Sequence, residues 1–188
     1  MEFQPHHALG NFNLLEDEEE NFDSQLLHHS GEQWLTFRLG DEIYGLEILQ
    51  IRELISYPEN VTRIPRQPDF LVGMINLRGM VLPVMDLRKR FGMTEVECNP
   101  FTVIVIVQIS SKVIGVIVDS VVDVVNLDRE NLLQTPEEST GVDSRFVHGL
   151  ANLRGEMVVL LNLEQLLAPE ELKQLGLLNQ QHDVRDVG

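Results

Sequence analysis

The chain of 188 residues contains 43% hydrophobic and 23% charged residues, which is the composition of an ordinary globular protein. Its formal net charge of −16 argues against nonspecific binding to nucleic acid or anionic lipid, because contacts to phosphate need Lys and Arg. The single cysteine, Cys98, excludes an internal disulfide and a structural metal site built on cysteines, and it suits a reducing compartment.

Targeting signals are not visible in the sequence. The longest apolar runs, "VIVIV" at 103–107 and "VIGVIV" at 113–118, are far too short to span a bilayer. The first residues do not combine a basic stretch with an apolar one, as a secretory signal does. We therefore expect a cytoplasmic protein with no direct membrane insertion.

Both ends of the chain are predicted to lie outside the main domain. Residues 1–31 carry seven acids, including "EDEEE", and neither Lys nor Arg, so they are expected to form a disordered acidic tail. The ordered domain is expected over 32–170. Residues 171–188 are predicted to form a helix and a tail, with Pro169 near the start of the helix and Gly176 past its end.

Two hairpins are predicted in the ordered domain. The stretch "WLTFRLGDEIYGLEI" alternates apolar and polar residues on both sides of a Gly-Asp turn, as hairpins do. The stretch "TVIVIVQISSKVIGVIVDSVVDVV" repeats that design, and it aligns with the first when Gly115 is placed on Gly45, at an offset of 70 residues. The two stretches indicate an internal duplication.

A second pair of matching segments extends the duplication. "GMINLRGMVLPVMDLR" at 73–88 and "GLANLRGEMVVLLNLE" at 149–164 align without a gap at an offset of 76. The shared Asn-Leu-Arg-Gly predicts a tight turn between two strands. The residues expected to shape these turns are Gly73, Asn76 and Gly79 in the first repeat, and Gly149, Asn152, Arg154 and Gly155 in the second.

Each repeat therefore contains about five short strands, and the chain is predicted to be mainly β. Five strands of this length cannot bury both faces as an open sheet, so two small barrels packed against each other are expected. Short helices follow the repeated segments. Asp86 is expected to cap a helix that stops at Gly92, and Asn162 to repeat that role.

Catalytic motifs are missing from the sequence. It contains no Gly-x-Ser-x-Gly, no phosphate-binding glycine loop with a Lys, and no His-Glu-x-x-His. Asp86, Asp119 and Asp123 are explained by capping and by solvation at strand edges. We therefore expect neither an enzyme, nor a cofactor, nor a metal site.

Positive charge is concentrated in the first repeat. The second repeat has Glu-Gln-Leu where the first has Arg-Lys-Arg. The cluster is either a partner-facing surface or the ordinary charge of a short helix, and the sequence favours neither alternative. Its members are Arg63, Arg66, Arg88, Lys89 and Arg90.

Four segments of the ordered domain resemble CheW, the adaptor family of bacterial chemotaxis arrays. They are "LTFRLGDEIYGLEILQIREL", "VTRIP", "GMINLRGMVLPVMDLRKRFG" and "VIGVIVDSVVDVV", in family order. The resemblance covers about 32–170. It implies two packed five-stranded SH3-like barrels, and a scaffold without enzymatic activity that couples chemoreceptors to a histidine kinase.

The resemblance also implies partners and a site. The partners would be the cytoplasmic tip of a chemoreceptor (a methyl-accepting chemotaxis protein) and the regulatory domain of the kinase CheA, with self-association in arrays left open. The receptor tip would bind in the seam between the barrels. By motif, the receptor-binding residues would be Ile51, Glu53, Leu54, Arg78, Val103 and Ile104. Core packing is the alternative for each aliphatic residue, and Arg154 is expected to serve the second turn rather than a partner.

Two other functions are alternatives to this interpretation. A CheW-like adaptor of a non-flagellar pathway, such as pilus or surface sensing, would have the same sequence features. A five-stranded barrel that binds nucleic acid would need stacked aromatics on a basic groove, and the negative charge and 6% aromatic content argue against it.

Overall fold

The computed structural model describes residues 31–58, 60–94, 97–133, 141–167 and residue 171. The predicted acidic tail, except Gly31, and the predicted C-terminal helix and tail, except Glu171, lie outside these ranges. Strand dominates the described part, and the prediction of a mainly β protein with two packed SH3-like barrels is confirmed.

The strands are short and follow one another closely. A single α-helical turn is described, α1 (Leu87–Arg90), together with 3-10 turns at Ile48–Gln50, Arg129–Asn131, Ser144–Phe146 and Leu163–Gln165. The strands are β1 (Glu32–Leu39), β2 (Glu42–Glu47), β3 (Ile51–Ser56), β4 (Leu71–Leu77), β5 (Met80–Asp86), β6 (Val103–Ile109), β7 (Lys112–Val118), β8 (Ser120–Leu127), β9 (Leu132–Leu133), β10 (Val147–Leu153) and β11 (Glu156–Leu161).

The strands form two sheets that do not correspond to the two sequence repeats. One sheet has the order β3-β6-β7-β5-β4 and is built from the continuous segment 51–118, which we call the inserted barrel. The other has the order β8-β1-β2-β11-β10-β9 and is called the outer barrel. Each barrel takes its first hairpin from one repeat and its other strands from the opposite repeat. The hairpins have thus been exchanged between the halves.

The exchange preserves an approximate symmetry between the barrels. In the inserted barrel β7 pairs in parallel with β5, with Gly115 opposite Val84. In the outer barrel β2 pairs in parallel with β11, with Gly45 opposite Leu160. A Cβ at Gly115 would lie 2.7 Å from Ile104, and one at Gly45 would lie 3.0 Å from Leu160, so both glycines permit a close approach. The duplication inferred from Gly45 and Gly115 therefore marks equivalent places in the two barrels.

Three clusters of buried side chains explain why the hairpin strands are almost continuously apolar. On β6, alternate residues such as Ile104 and Ile106 point into the inserted barrel, whereas Val105 and Val107 point toward the outer barrel. On β1, Trp34 points into the outer barrel and Phe37 points toward the inserted barrel. The largest cluster among the described residues lies between the barrels, so the two barrels form one folded unit.

The predicted caps are confirmed. The Asp86 side chain accepts a hydrogen bond from the Arg88 amide at the start of α1. The Asn162 side chain does the same for the Glu164 amide. Gly92 follows α1 with φ of 74°, the left-handed conformation that ends helices.

The repeated Asn-Leu-Arg-Gly segments form the predicted tight turns. Arg78 and Gly79 adopt φ of 50° and 89°, and Arg154 and Gly155 adopt 54° and 90°. Two positive φ values in a two-residue loop are those of a type I′ hairpin turn. The asparagine before each turn does not adopt positive φ. Its side-chain oxygen instead accepts a hydrogen bond from the glycine amide, at 2.9 Å in the first turn and 3.0 Å in the second.

Gly73 and Gly149, which were predicted to shape turns, lie inside strands. Each sits beside a β-bulge, Gly73 in β4 and Gly149 in β10. Gly73 has φ of 155°, and a Cβ there would lie 2.2 Å from the carbonyl oxygen of Thr62. The Thr62 backbone forms two hydrogen bonds with Met74, so Gly73 is needed where the 57–70 loop crosses β4. The prediction was wrong because glycine supports close backbone approach as readily as it supports turns.

Candidate partner-binding surfaces

Two predicted receptor residues meet at the edge of the inserted barrel. Glu53 lies on β3 and Arg78 lies in the turn between β4 and β5, and β3 and β4 are the two outer strands of this sheet. The Arg78 guanidinium donates to both carboxylate oxygens of Glu53, at 2.8 and 3.4 Å. The pair therefore bridges the open side of the barrel.

This ion pair contributes little to stability. The Arg78 side chain is 77% exposed and the Glu53 side chain 26% exposed, and pairs in such solvated settings stabilise by about 0.2–1 kcal/mol. The left-handed φ of Arg78 costs about 1–2 kcal/mol, which is at least as large as that gain. The effect of the Glu53–Arg78 pair is therefore to hold two opposite charges in a fixed orientation at the surface, rather than to stabilise the fold.

The four aliphatic candidates are divided by burial. Leu54 is 44% exposed on β3, next to Glu53. Ile51 and Val103 are half-buried and pack against the cluster between the barrels. Ile104 is fully buried inside the inserted barrel, so the core-packing alternative holds for it and it cannot touch a partner.

A depression of 540 Å³ opens at the seam between the barrels, lined by Leu39, Glu42, Tyr44, Phe91 and Met93 among others, but the interior of the seam is filled. Side chains of both sheets close it, among them Phe37, Tyr44, Met85 and Val105, each at most 1% exposed. A receptor helix therefore cannot lie deep in this seam. Of the predicted site, the accessible part is the β3 edge with Glu53, Leu54 and Arg78.

The outer barrel carries the counterpart of this site. At the offsets of the two repeats, Asp123 on β8 corresponds to Glu53, Val124 to Leu54, and Arg154 to Arg78. No hydrogen bond or ion pair joins Arg154 to another residue that the structure describes. A groove of 440 Å³ opens here instead, lined by Ile43, Val122, Asp123, Val124, Leu153, Arg154, Glu156 and Val158 among others.

Side-chain length and a competing bond explain why the outer barrel lacks the bridge. Asp123 is one methylene shorter than Glu53, and its Oδ1 accepts a hydrogen bond from the Val124 amide at 2.8 Å. Arg154 remains exposed at the rim of the groove. Val122 and Val124, both 46% exposed, make its wall apolar. The sequence analysis did not predict this groove. The signal that was available is the run of apolar residues in β8, which exceeds what one buried face of a strand requires.

The predicted basic cluster is not one surface. Arg63, Arg66 and Lys89 are exposed, and none has an ion-pair partner among the described residues. Arg88 is 1% exposed, so its place in a partner-facing cluster is wrong. Arg90 is also largely covered, with a side chain 14% exposed.

Arg88 is the centre of a buried polar network. Its guanidinium donates to both oxygens of Asp86 at 2.8–2.9 Å, to Asp119 Oδ1 at 2.8 Å and to the Glu97 carbonyl at 2.8 Å. The other Asp119 oxygen accepts from the Gly40 amide at 2.7 Å. Burial alone would lower the pKa of Arg88, but the hydrogen bonds, led by that of Asp86, outweigh it and raise the pKa. Arg88 therefore stays charged and ties α1 to the hairpin turn of the outer barrel.

Arg90 links the two barrels in a different way. Its guanidinium lies 4.1 Å from the centre of the Phe70 ring and 5.1 Å from that of Phe146. It also forms two hydrogen bonds to Glu171, at 3.0 and 3.2 Å. Cation–π contacts of this kind stabilise by about 0.5–2 kcal/mol. Arg90 is therefore a structural contact between α1, the outer barrel and Glu171.

Neither a metal site nor a membrane-spanning helix is found among the described ranges. These residues contain no group of three or more His, Cys, Asp or Glu that could hold a metal ion. None of the helices in this part of the chain has the length and apolar character needed to cross a membrane. The accessible features of the described residues include the β3 edge of the inserted barrel and the groove of the outer barrel.

Comparison with known proteins identifies similar chains. The family model described as "CheW-like domain" matches residues 33–171. The chain is 37% identical to "Chemotaxis protein CheW" of Klebsiella aerogenes over 76% of its own length and 85% of that protein. It is 33% identical to "Probable chemotaxis protein CheW" of Rhizobium etli over 77% of its length and 93% of that protein.

A solved structure shows the same architecture. The "scaffolding protein TtCheW" of Thermoanaerobacter tengcongensis superposes with a TM-score of 0.68 at 35% sequence identity. The match covers 73% of this chain and 88% of that one. Fold and sequence similarity therefore agree.

Proposed function

This chain belongs to the CheW family and is a chemotaxis coupling adaptor, and from that premise we propose that it joins the cytoplasmic tip of a chemoreceptor to the regulatory domain of the histidine kinase CheA. The adaptor domain is proposed to span 32–170, with the acidic segment 1–31 and the segment 171–188 outside it. The names of the similar proteins do not favour the alternative of a pilus or surface-sensing pathway. In this role the chain works in the cytoplasm, at membrane-associated receptor arrays.

One observation carries this proposal. The two barrels place the same strand-and-turn unit at the surface, but one is closed by an ion pair and the other is open as a groove with exposed valines on its wall and charged residues at its rim. Two dissimilar surfaces on equivalent positions suit an adaptor that must hold two different partners at once. An enzyme would instead need a nucleophile and a base, or a phosphate loop, and the sequence contains no motif of these kinds.

The receptor tip is proposed to bind the β3 edge of the inserted barrel. Leu54 supplies an exposed aliphatic contact on one face of the β3 edge strand, and the Glu53–Arg78 pair supplies charges of both signs on the other face. An amphipathic helix with an apolar stripe and flanking polar residues is complementary to such an edge. Ile51 and Val103 support the edge from the half-buried side, and Ile104 acts only through the core.

The kinase regulatory domain is proposed to bind the groove of the outer barrel. The exposed Val122 and Val124 offer an apolar surface, and Arg154 is a cation without an ion-pair partner in the described structure. A domain that presents an apolar edge with a nearby carboxylate would fit both features. The affinity of each pair is expected to be modest, with avidity supplied by the array.

The test uses one variant on each surface. Arg78→Ala should weaken binding of a receptor cytoplasmic fragment about tenfold, a loss that only a minority of interface residues produce, and should leave the kinase regulatory domain bound. Val124→Asp should weaken the kinase domain and leave the receptor fragment bound. The two partners should also bind together in a pull-down with the unmodified chain. Displacement of one partner by the other, or equal effects of both variants on both partners, would show that the two surfaces are not separate sites.

A further inference from the structure

Phe101 is the most exposed aromatic side chain in the described part of the molecule. It is 75% exposed, and it lies in the loop that leads into β6. Burial of a Phe side chain stabilises a fold by about 1.5–3 kcal/mol, and the exposed Phe101 makes little of this contribution to the stability of the free protein. Single exposed apolar residues are common on proteins and need no explanation by themselves. The surroundings of Phe101 distinguish it from such residues.

The loop that carries Phe101 is held by hydrogen bonds on both sides. The Asn99 side chain accepts from the Phe101 amide at 2.8 Å, and the Thr102 hydroxyl accepts from the Asn99 amide at 2.9 Å. Thr102 is 1% exposed, and its carbonyl accepts from the Tyr57 amide just after β3. At the other end of the loop, Arg88 donates to the Glu97 carbonyl. The backbone under Phe101 is therefore fixed while its ring faces solvent.

A fixed backbone lowers the cost of binding through an aromatic ring. Association loses about 0.5–1.5 kcal/mol for each side chain that must be immobilised, and a loop that must be ordered adds to this loss. Phe101 reduces the loop contribution because residues 97–102 are already held by hydrogen bonds in the free protein. Rings presented in this way serve as anchors that enter an apolar depression on a partner.

Phe101 also continues the edge proposed for the receptor. Val105 lies directly opposite Leu54 in the ladder between β3 and β6. Phe101 precedes Val105 by four residues, so it lies at most about 14 Å from that position. Leu54 lies about 5 Å from Val105 across the ladder, so Phe101 is at most about 20 Å from Leu54. A helix rises about 1.5 Å per residue, so one helix of about thirteen residues spans both side chains. Leu54 and Phe101 thus lie within reach of a single helical partner.

We propose that Phe101 is an aromatic anchor that extends the receptor-binding edge of the inserted barrel, so that the helical receptor tip contacts Leu54 and Phe101 together. This inference rests on the proposed function, because it assigns a further residue to the same surface. The two contributions to this surface are physically different. Phe101 would bind through burial of its ring, whereas the Glu53–Arg78 pair would bind through its charges. Receptors are then selected by whether their tip carries an apolar depression within about four helical turns of the Leu54 contact.

The experiment measures binding of a receptor cytoplasmic fragment and of the kinase regulatory domain to the full chain. The variants are Phe101→Ala, Phe101→Leu and Arg78→Ala, with Met157→Ala as a control that removes a side chain 53% exposed on the outer barrel. Phe101→Ala should weaken receptor binding about tenfold, and Phe101→Leu should restore part of the loss. Kinase-domain binding and the melting temperature should stay unchanged, and Met157→Ala should leave receptor binding unchanged.

Each other outcome would overturn part of this picture. Loss of receptor binding in Arg78→Ala but not in Phe101→Ala would reject the anchor and leave the proposed function intact. Unchanged receptor binding in both variants would reject the β3 edge as the receptor site, and the anchor with it. A kinase-domain defect, or a fall of several degrees in melting temperature, in Phe101→Ala would also reject the anchor. The ring would then belong to another interface or to the chain's own packing.

Discussion

The inserted barrel and the outer barrel use the same strand-and-turn unit for different surfaces. In the inserted barrel Glu53 reaches Arg78 and bridges the two edges of the sheet. In the outer barrel Asp123 is shorter and bonds to the amide of Val124, so Arg154 is left at the rim of an open groove. The backbone of the turn is the same in both, with Arg and Gly at positive φ. One methylene and one local hydrogen bond thus separate a closed edge from an open one.

The largest expected difference between the barrels concerns Arg88 and its counterpart Glu164. Arg88→Ala leaves the carboxylate of Asp86 buried without its partner, and breaking a buried pair in this way costs about 3–5 kcal/mol. Glu164 is exposed, so Glu164→Ala should change the free energy of unfolding by less than about 0.5 kcal/mol. Urea denaturation of both variants measures this difference. A loss below about 1 kcal/mol in Arg88→Ala would contradict the central role of the network.

The next largest difference concerns the two glycines beside the β-bulges. Gly73→Ala would place a Cβ 2.2 Å from the Thr62 carbonyl oxygen, and the backbone shift that this requires should cost about 2–3 kcal/mol. Gly149→Ala meets nothing nearer than 4.0 Å and should be close to neutral. Thermal unfolding of the two variants provides the measurement. Equal melting temperatures would show that the 57–70 loop can move away from β4 at little cost.

A smaller difference is expected between the two turn arginines. Arg154→Gly removes about 1–2 kcal/mol of left-handed strain and adds up to about 1 kcal/mol of unfolded-chain entropy, so it should stabilise the fold by about 0.5 kcal/mol. Arg78→Gly relieves the same left-handed strain, but it also removes the ion pair to Glu53, and the loss of that pair offsets the gain in stability. Paired urea titrations can resolve the two values. A loss of stability in Arg154→Gly would restore the sequence-based expectation that the Arg154 side chain itself holds the turn.

The smallest expected difference between the barrels is in the dependence of stability on alkaline pH. It concerns Tyr44, whose counterpart in the other hairpin is Ile114. Burial, together with the hydrogen bond that Tyr44 donates to Glu42, raises the pKa of Tyr44 above its ordinary value of 10.0. The unfolded chain therefore loses this proton first as pH rises. The stability contributed by the protonated form is fully present below pH 10 and declines at higher pH. Tyr44→Phe should flatten the fall in melting temperature above this pH, and an unchanged slope would refute the assignment.

The repeats show how far local sequence determines structure. The alternation of apolar residues predicted the hairpins, and the Asn-Leu-Arg-Gly motif predicted the turns. Neither pattern contains information on which hairpin joins which barrel, because β1–β2 and β6–β7 carry nearly the same apolar pattern and would fit either position. The exchange of hairpins is decided by the chain connections and by the packing of the cluster between the barrels.

Charged residues show the limit of the same reasoning. Arg88, Lys89 and Arg90 looked alike in sequence, because an isolated charge is normally exposed. Arg88 is buried because Asp119, 31 residues away along the chain, and the Glu97 carbonyl converge on it. Phe101 was missed for the opposite reason, since an apolar residue between strands is normally expected to be covered.

By itself the sequence determined what depends on near neighbours, namely the strands with their period of two, the glycine-containing turns, the helix caps at Asp86 and Asn162, and the family to which the chain belongs. The tertiary structure alone decided what depends on residues far apart in the chain. It brought Glu53 to Arg78, kept Asp123 from Arg154, and buried Arg88 and Ile104. The physical reason is that hydrogen bonds and burial act over a few ångströms in space, and such distances between remote residues are set only when the barrels close and pack.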